Sequence, residues 1–125
     1  MAELQRLSTE VAQFCQEHSL DNDVAFDLNL ALEELFTNSV HHGGCEGMAD
    51  AVHIRLECAR DGVRVEFCDR GLAFDPVSAP GPDLESPLAT REPGGLGIHL
   101  VRKVMSDLRY RRSDEWNRIT MRKPV

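Results

Sequence analysis

A chain of 125 residues, 42% apolar and 28% charged, is long enough to bury one core and has the composition of a globular protein. Its formal net charge of −7 opposes a general affinity for nucleic acid, which needs a basic surface to meet phosphates. No apolar run approaches the roughly 20 residues that span a bilayer, and Met1-Ala2-Glu3-Leu4-Gln5-Arg6 does not read as a secretory signal. The expectation is a cytoplasmic protein with no membrane contact.

Leu4, Leu7, Val11, Phe14 and Cys15 recur at helical spacing, which predicts an amphipathic helix over residues 3–18. His18-Ser19-Leu20-Asp21-Asn22 breaks it, and Asp21 or Asn22 can cap a second, long helix from about Asp23 to His42. Gly43-Gly44 ends that helix. Two strands follow. Val52, Ile54, Leu56 and Cys58 alternate with polar residues, Asp61-Gly62 signals a hairpin turn, and Val63, Val65 and Phe67 alternate again. Residues 75–93 hold five of the chain's six prolines and read as a long loop, of the kind that forms lids and binding loops. Gly94-Gly95-Leu96-Gly97 then leads into a helix with Ile98, Val101, Val104 and Met105 on its apolar side. A last hairpin is expected, with strands near 108–111 and 118–122 and a turn through Ser113-Asp114-Glu115-Trp116-Asn117. The order predicts one α+β domain over 1–125: a two-layer sandwich with helices on one face of a mainly antiparallel sheet.

Some residues have bland readings. Cys15, Cys45, Cys58 and Cys68 show neither a CxxC pair nor zinc spacing, so they are expected as free thiols serving as small apolar residues. His41 and His42 point about 100° apart on a helix, a poor arrangement for joint chelation. The late cations Arg109, Arg111, Arg112, Arg118, Arg122 and Lys123 fit a solvated sheet face, or a patch for an acidic partner.

Three segments carry chemistry. Glu34, Asn38 and His42 stand at i, i+4 and i+8 on one helical face. Asn38 can offer an oxygen to Mg2+, and Glu34 can take a proton from a hydroxyl or water. The same spacing also describes an ordinary polar stripe. Asp69, where a buried strand ends, can accept a hydrogen bond from an exocyclic amine such as adenine presents, and Gly71 lets the backbone approach a ligand. That segment also reads as a plain strand-to-loop turn. Gly94-Gly95-Leu96-Gly97 at a helix start can cradle phosphate with backbone N–H groups, or serve as a hinge. It is neither a Walker A loop nor a dinucleotide fingerprint.

Taken in order, the three segments resemble the GHKL superfamily, the ATP-binding domains of gyrase, the large heat-shock chaperone, histidine kinases and MutL. Glu34-Leu35-Phe36-Thr37-Asn38 is similar to its N box, Asp69-Arg70-Gly71 to its adenine-contacting box, and Gly94-Gly95-Leu96-Gly97 to its second glycine box. The resemblance spans roughly residues 20–122. Within the superfamily, residues 31–43 and 118–123 resemble the small bacterial anti-sigma serine kinases of the RsbW and SpoIIAB type. That resemblance implies a histidine-kinase-like ATPase fold that uses ATP and Mg2+. It makes Glu34 the general base and Asn38 the Mg2+ ligand, with His42 on the same face. Asp69 becomes the adenine reader, and Gly71, Gly94, Gly95, Leu96 and Gly97 shape pocket and lid. Arg91 is placed to reach the γ-phosphate. Ala73 departs from the pattern, because the adenine box often carries a glycine there.

The implied activity is phosphorylation of a serine on an anti-sigma antagonist protein, together with binding of a sigma factor. A catalytically silent nucleotide-binding module that sequesters a regulatory partner is the alternative. Relatives often carry a pairing strand before the first helix, so a homodimer stays open. The detached ATP-binding domain of a histidine kinase fits less well, because no hairpin bearing a phosphoacceptor histidine is evident.

Overall fold

The alternation of apolar residues along four strands leaves one face of a sheet dry, and three helices cover it. The computed structural model describes residues 2–41, 51–73, 75 and 95–125, with backbone alone for 2, 3, 41 and 95–97. In chain order the elements are α1 (Ala2–Glu17), α2 (Asn22–His41), β1 (Val52–Ala59), β2 (Gly62–Asp69), α3 (Gly95–Val104), β3 (Ser106–Ser113) and β4 (Trp116–Lys123). The strands pair antiparallel throughout in the order β1-β2-β4-β3. This is the two-layer α+β arrangement that the sequence predicts.

α1 ends in a Schellman motif. Leu20 N–H donates to Cys15 O at 2.9 Å and Ser19 N–H to Gln16 O at 3.2 Å. Ser19 takes the left-handed conformation, φ 54°, that a glycine would adopt more easily. The reversal delivers Leu20 to the core and starts α2, where Asp23 in the first turn complements the positive helix end.

α2 is the central helix. Val24, Leu28, Ala31, Leu32 and Leu35 are buried along it, and it packs against α1, α3, β2 and β4. Its sheet-side partners are Val63, Val65, Phe67, Ile119 and Met121. Phe67 and Leu28 are at most 1% exposed, and full burial of each such side chain stabilises by about 1.5–3 kcal/mol. At the far end of α2's sheet contact, Lys123 Nζ lies 2.6 Å from Asp27 Oδ2, a half-buried pair that fixes helix against strand.

Three sequence expectations change. Ala59 pairs with Gly62, so Arg60 and Asp61 form the first hairpin turn, one position earlier than Asp61-Gly62. Gly62 is instead required by crowding. Its φ is 130°, and a Cβ there would sit 2.1 Å from the Lys123 carbonyl oxygen. Cys58 is exposed near the end of edge strand β1, whereas Cys15 and Cys68 are buried. Burial pushes the Cys15 and Cys68 thiols up from their ordinary pKa. Finally, Ser113 pairs with Trp116, so Asp114 and Glu115 alone make the last turn, at φ 51° and 68°. That pair of positive φ values matches the right-handed twist of a two-residue hairpin. It moves Trp116 and Asn117 from the expected turn into β4.

No helix among the described residues is long and apolar enough to cross a membrane. The expected loop over 75–93 lies outside the described residues apart from Asp75.

The Gly62 geometry predicts a clear stability effect. Gly62→Ala should cost at least about 2 kcal/mol, from backbone strain plus displacement of the β4 end. Urea unfolding of wild type and variant checks this, and unchanged midpoints would contradict the crowding.

Candidate functional site

The end of β2 meets the start of β4 and the C-terminal end of α2 around one buried carboxylate. Asp69 is 6% exposed and accepts three hydrogen bonds from three separate segments. Ser39 Oγ–H of α2 donates to Oδ2 at 2.7 Å. Gly71 N–H donates to Oδ1 at 2.9 Å, folding the chain back after the strand. Asn117 Nδ2–H of β4 donates to Oδ1 at 2.8 Å, as expected from the direct pairing of Asp69 with Asn117 in the sheet register.

The Asn117 amide is fully defined by its neighbours. Tyr110 O–H of β3 donates to Asn117 Oδ1, and the acceptor-only Asp69 carboxylate and Leu72 carbonyl at the other end fix that end as the NH2 group. Its second N–H reaches the Leu72 carbonyl at 2.9 Å. Arg112 adds a 2.7 Å hydrogen bond to the Gly71 carbonyl. The loop after β2 is therefore held from beneath by Asp69 and from the side by the last hairpin.

A carboxylate has about four acceptor positions. Among the described residues Oδ1 takes two donors and Oδ2 takes Ser39 alone, which leaves an acceptor position on Oδ2. Every partner of Asp69 among the described residues is a donor, so these contacts hold the group as an acceptor. It suits an N–H of a ligand and repels a carbonyl.

Beside Ser39 lies Asn38, 7% exposed, whose Nδ2 is buried without a hydrogen-bond partner among the described residues. An unsatisfied buried amide costs about 1–3 kcal/mol, and Asn29 Oδ1 of the same helix is likewise without a partner among the described residues. Exchange of the amide oxygen and nitrogen places the oxygen in the same position. The group is then as suitable for a hard cation as for an acceptor atom. Glu34, one turn earlier, is half-buried and makes no ion pair among the described residues.

The glycines expected as a loop before the third helix are partly inside it. Gly95, Leu96 and Gly97 form the first turn of α3, where backbone N–H groups have no partner within the helix. No acidic residue occupies that turn, while Arg102 and Lys103 stand in the last one, so the helix end favours an anion. α3 packs directly against α2. Ala73 is exposed, so its methyl group takes no part in the buried network around Asp69. His42, Arg91 and Gly94 lie outside the described residues.

The structure thus joins Asp69 and Gly71 in one cluster, with Asn38 adjacent to it through Ser39. It adds Ser39, Tyr110, Arg112 and Asn117, which the motif reading did not single out. Asn117 gave no local signal, because asparagine is disfavoured inside strands and its polarity fits a turn.

Three helices on a four-stranded antiparallel sheet are the arrangement of a histidine kinase-like ATPase domain. The chain belongs to the histidine kinase-like ATPase domain family, which matches residues 1–123. It is 38% identical over 96 residues to the serine/threonine-protein kinase BtrW of Bordetella bronchiseptica, covering 77% of this chain and 68% of that protein. It is 29% identical over 87 residues to the serine-protein kinase RsbW of Oceanobacillus iheyensis, covering 66% of this chain and 55% of that one. No solved structure matches the chain.

The cluster predicts a graded response to substitution. Asn117→Ala strips a donor from Asp69 and frees both Tyr110 O–H and the Leu72 carbonyl, at a cost of about 2–3 kcal/mol. Tyr110→Phe removes only the outer bond and should cost about 1 kcal/mol. Equilibrium unfolding in urea measures both, and equal losses would mean that Asn117 is not the hub.

Proposed function

We propose that the protein is an ATP-dependent protein serine/threonine kinase that phosphorylates an anti-sigma antagonist and also binds a sigma factor. The observation that carries the nucleotide reading is the Asp69 carboxylate, locked as an acceptor with one position open on Oδ2. That position accepts a hydrogen bond from the exocyclic amine of adenine. Guanine, which presents a carbonyl at the equivalent edge, meets an acceptor and is disfavoured.

The other residues take roles that fit their surroundings. The buried, unsatisfied Asn38 amide offers its oxygen to Mg2+, which when bound neutralises charge on the phosphates. The first turn of α3, with Gly95, Leu96 and Gly97, directs free N–H groups at the phosphate chain. Gly94, Arg91 and His42, outside the described residues, are assigned to the same pocket from the sequence. Glu34 takes the proton from the hydroxyl of a serine on the partner protein. The serine oxygen then attacks the γ-phosphorus, and ADP leaves. Such transfer depends mostly on positioning and charge stabilisation, so one base and a set of fixed donors suffice.

The kinase names of BtrW and RsbW support the same reading for this chain. Glu34 favours a catalytic over a silent pocket. It is half-buried on the Asn38 face of α2 and no salt bridge claims it among the described residues.

Two substitutions separate binding from catalysis. Asp69→Asn should weaken ATP binding about tenfold or more, since an amide presents N–H to donors that expect an acceptor. Titration calorimetry with and without Mg2+ reads the affinity. Glu34→Gln should leave ATP affinity near wild type and lower phosphotransfer by about 100-fold or more. Labelled ATP and a serine-bearing antagonist supply that measurement. Undiminished transfer would remove the role given to Glu34, and equal ATP affinity in Asp69→Asn would remove the adenine assignment.

A further inference from the structure

Among the described residues, no helix packs on the second face of the sheet. α2 meets β2 and β4, and α3 meets β3, all on the side where Val63, Val65, Phe67, Ile119 and Met121 are buried. Strand alternation sends arginines to the opposite side. There, two pairs face each other directly across strands, Arg64 opposite Arg122 and Arg111 opposite Arg118. Like charges in direct opposition destabilise a sheet.

The chain relieves the first pair itself. Asp61 Oδ2 lies 3.6 Å from Arg64 and 3.8 Å from Arg122, and Asp107 Oδ2 lies 2.8 Å from Arg122. Arg122 holds the Asp107 carboxyl below its ordinary pKa. The second pair has no carboxylate so close. Arg111 and Arg118 are both exposed, and neither has a carboxylate within ion-pair distance among the described residues. Arg118 stands directly opposite Cys68 in the sheet, and the Cys68 thiol and Glu66 both favour its charged form. Arg109, two residues before Arg111 on the same face, is exposed and likewise has no carboxylate at that distance among the described residues.

Next to the pair stands the chain's one tryptophan. Trp116 precedes Arg118 by two residues and shares its face. It is half-buried, with His53 edge-on at 5.1 Å and the Arg70 guanidinium 5.3 Å from its ring centre. Arginine and tryptophan are the side chains that most often dominate protein interfaces, and the arginine fork suits a carboxylate.

We propose that this outer face, centred on the Arg111–Arg118 pair and Trp116, docks an acidic segment of a protein partner. A partner carboxylate sits between the two guanidinium groups as Asp61 sits between Arg64 and Arg122, and a neighbouring apolar side chain covers Trp116. Charge complementarity selects this occupant. A nucleic acid meets a chain of net charge −7, with Glu66 and Asp107 interrupting any path for continuous phosphates. A second copy stacked through the same face brings one arginine pair against another. The face lies across the sheet from Asp69, so docking does not need nucleotide.

The test uses Trp116 emission in the full chain, because no other tryptophan contributes. The probes are a short peptide of alternating Glu, Asp and Leu, the same peptide with Gln and Asn for the acids, and a single-stranded oligonucleotide. The acidic peptide should shift the emission and bind at least about tenfold more tightly than the amide version, and added salt should weaken it. Arg111→Glu supplies the missing carboxylate within the chain. It should raise the melting temperature and weaken the acidic peptide by about tenfold or more. Arg111→Gln, which removes the charge without adding one, should weaken the peptide while leaving the fold intact. Equal binding of both peptides, tighter binding of the oligonucleotide, or retained affinity in both Arg111 variants would overturn the proposal. So would a dimer in sedimentation that buries Trp116 and dissociates in Arg111→Glu.

Discussion

A carboxylate taken out of water has to be surrounded by donors, and at Asp69 those donors are drawn from most of the fold. Ser39 comes from the central helix, Gly71 from the loop that follows, and Asn117 from the neighbouring strand. Tyr110 and Arg112 of the edge strand support them from behind. Loss of one donor leaves a buried charge poorly compensated, which is far more costly than the bond itself is stabilising. The cluster therefore pins the register of β2 against β4, the height of α2 over the sheet and the path of the loop after β2. A slip of one residue along β4 would send Asn117 to the other side of the sheet.

Much of this architecture was legible in the sequence. Helical spacing in α1 and α2 and strict alternation in β1 and β2 reflect the burial of one face, and burial decided the outcome. The chemistry-bearing positions Asn38, Asp69 and Gly71 were legible for another reason: their order and spacing match a known pattern. What was missed depended on register. A turn reading of Ser113–Asn117 is consistent with the polarity of those residues, but the structure makes a two-residue turn and sends Asn117 into the core of the site. Nothing local distinguishes the two, because the deciding partner, Asp69, lies 48 residues away in sequence. Cys58 fails in the opposite way. Its alternation is right for the inner face, but it stands exposed near the end of the edge strand.

Membership in the histidine kinase-like ATPase family and similarity to BtrW and RsbW accord with this division. The features that carry the resemblance in the sequence are an asparagine-bearing helix, an acid at a strand end and a glycine-rich helix start. The supporting residues beneath them, Tyr110, Arg112 and Asn117, work only as a set. Each is ordinary in type and gains its role through the geometry of the last hairpin. This explains why motif reading finds the groups that touch a ligand sooner than the groups that hold them.

The alternation of β2 and β4 has one more consequence. Asp69 and Asn117 point to the helix side, while their immediate chain neighbours Arg70 and Trp116 meet on the opposite side. A single peptide bond in each strand separates the two environments. Whatever free energy links an occupant of one face to an occupant of the other must be the same in both directions. A protein bound outside that tightened the hold on nucleotide would itself be held more tightly whenever nucleotide was present. A sheet only four strands wide can in this way carry a two-way conversation between cellular energy supply and the state of a regulatory partner.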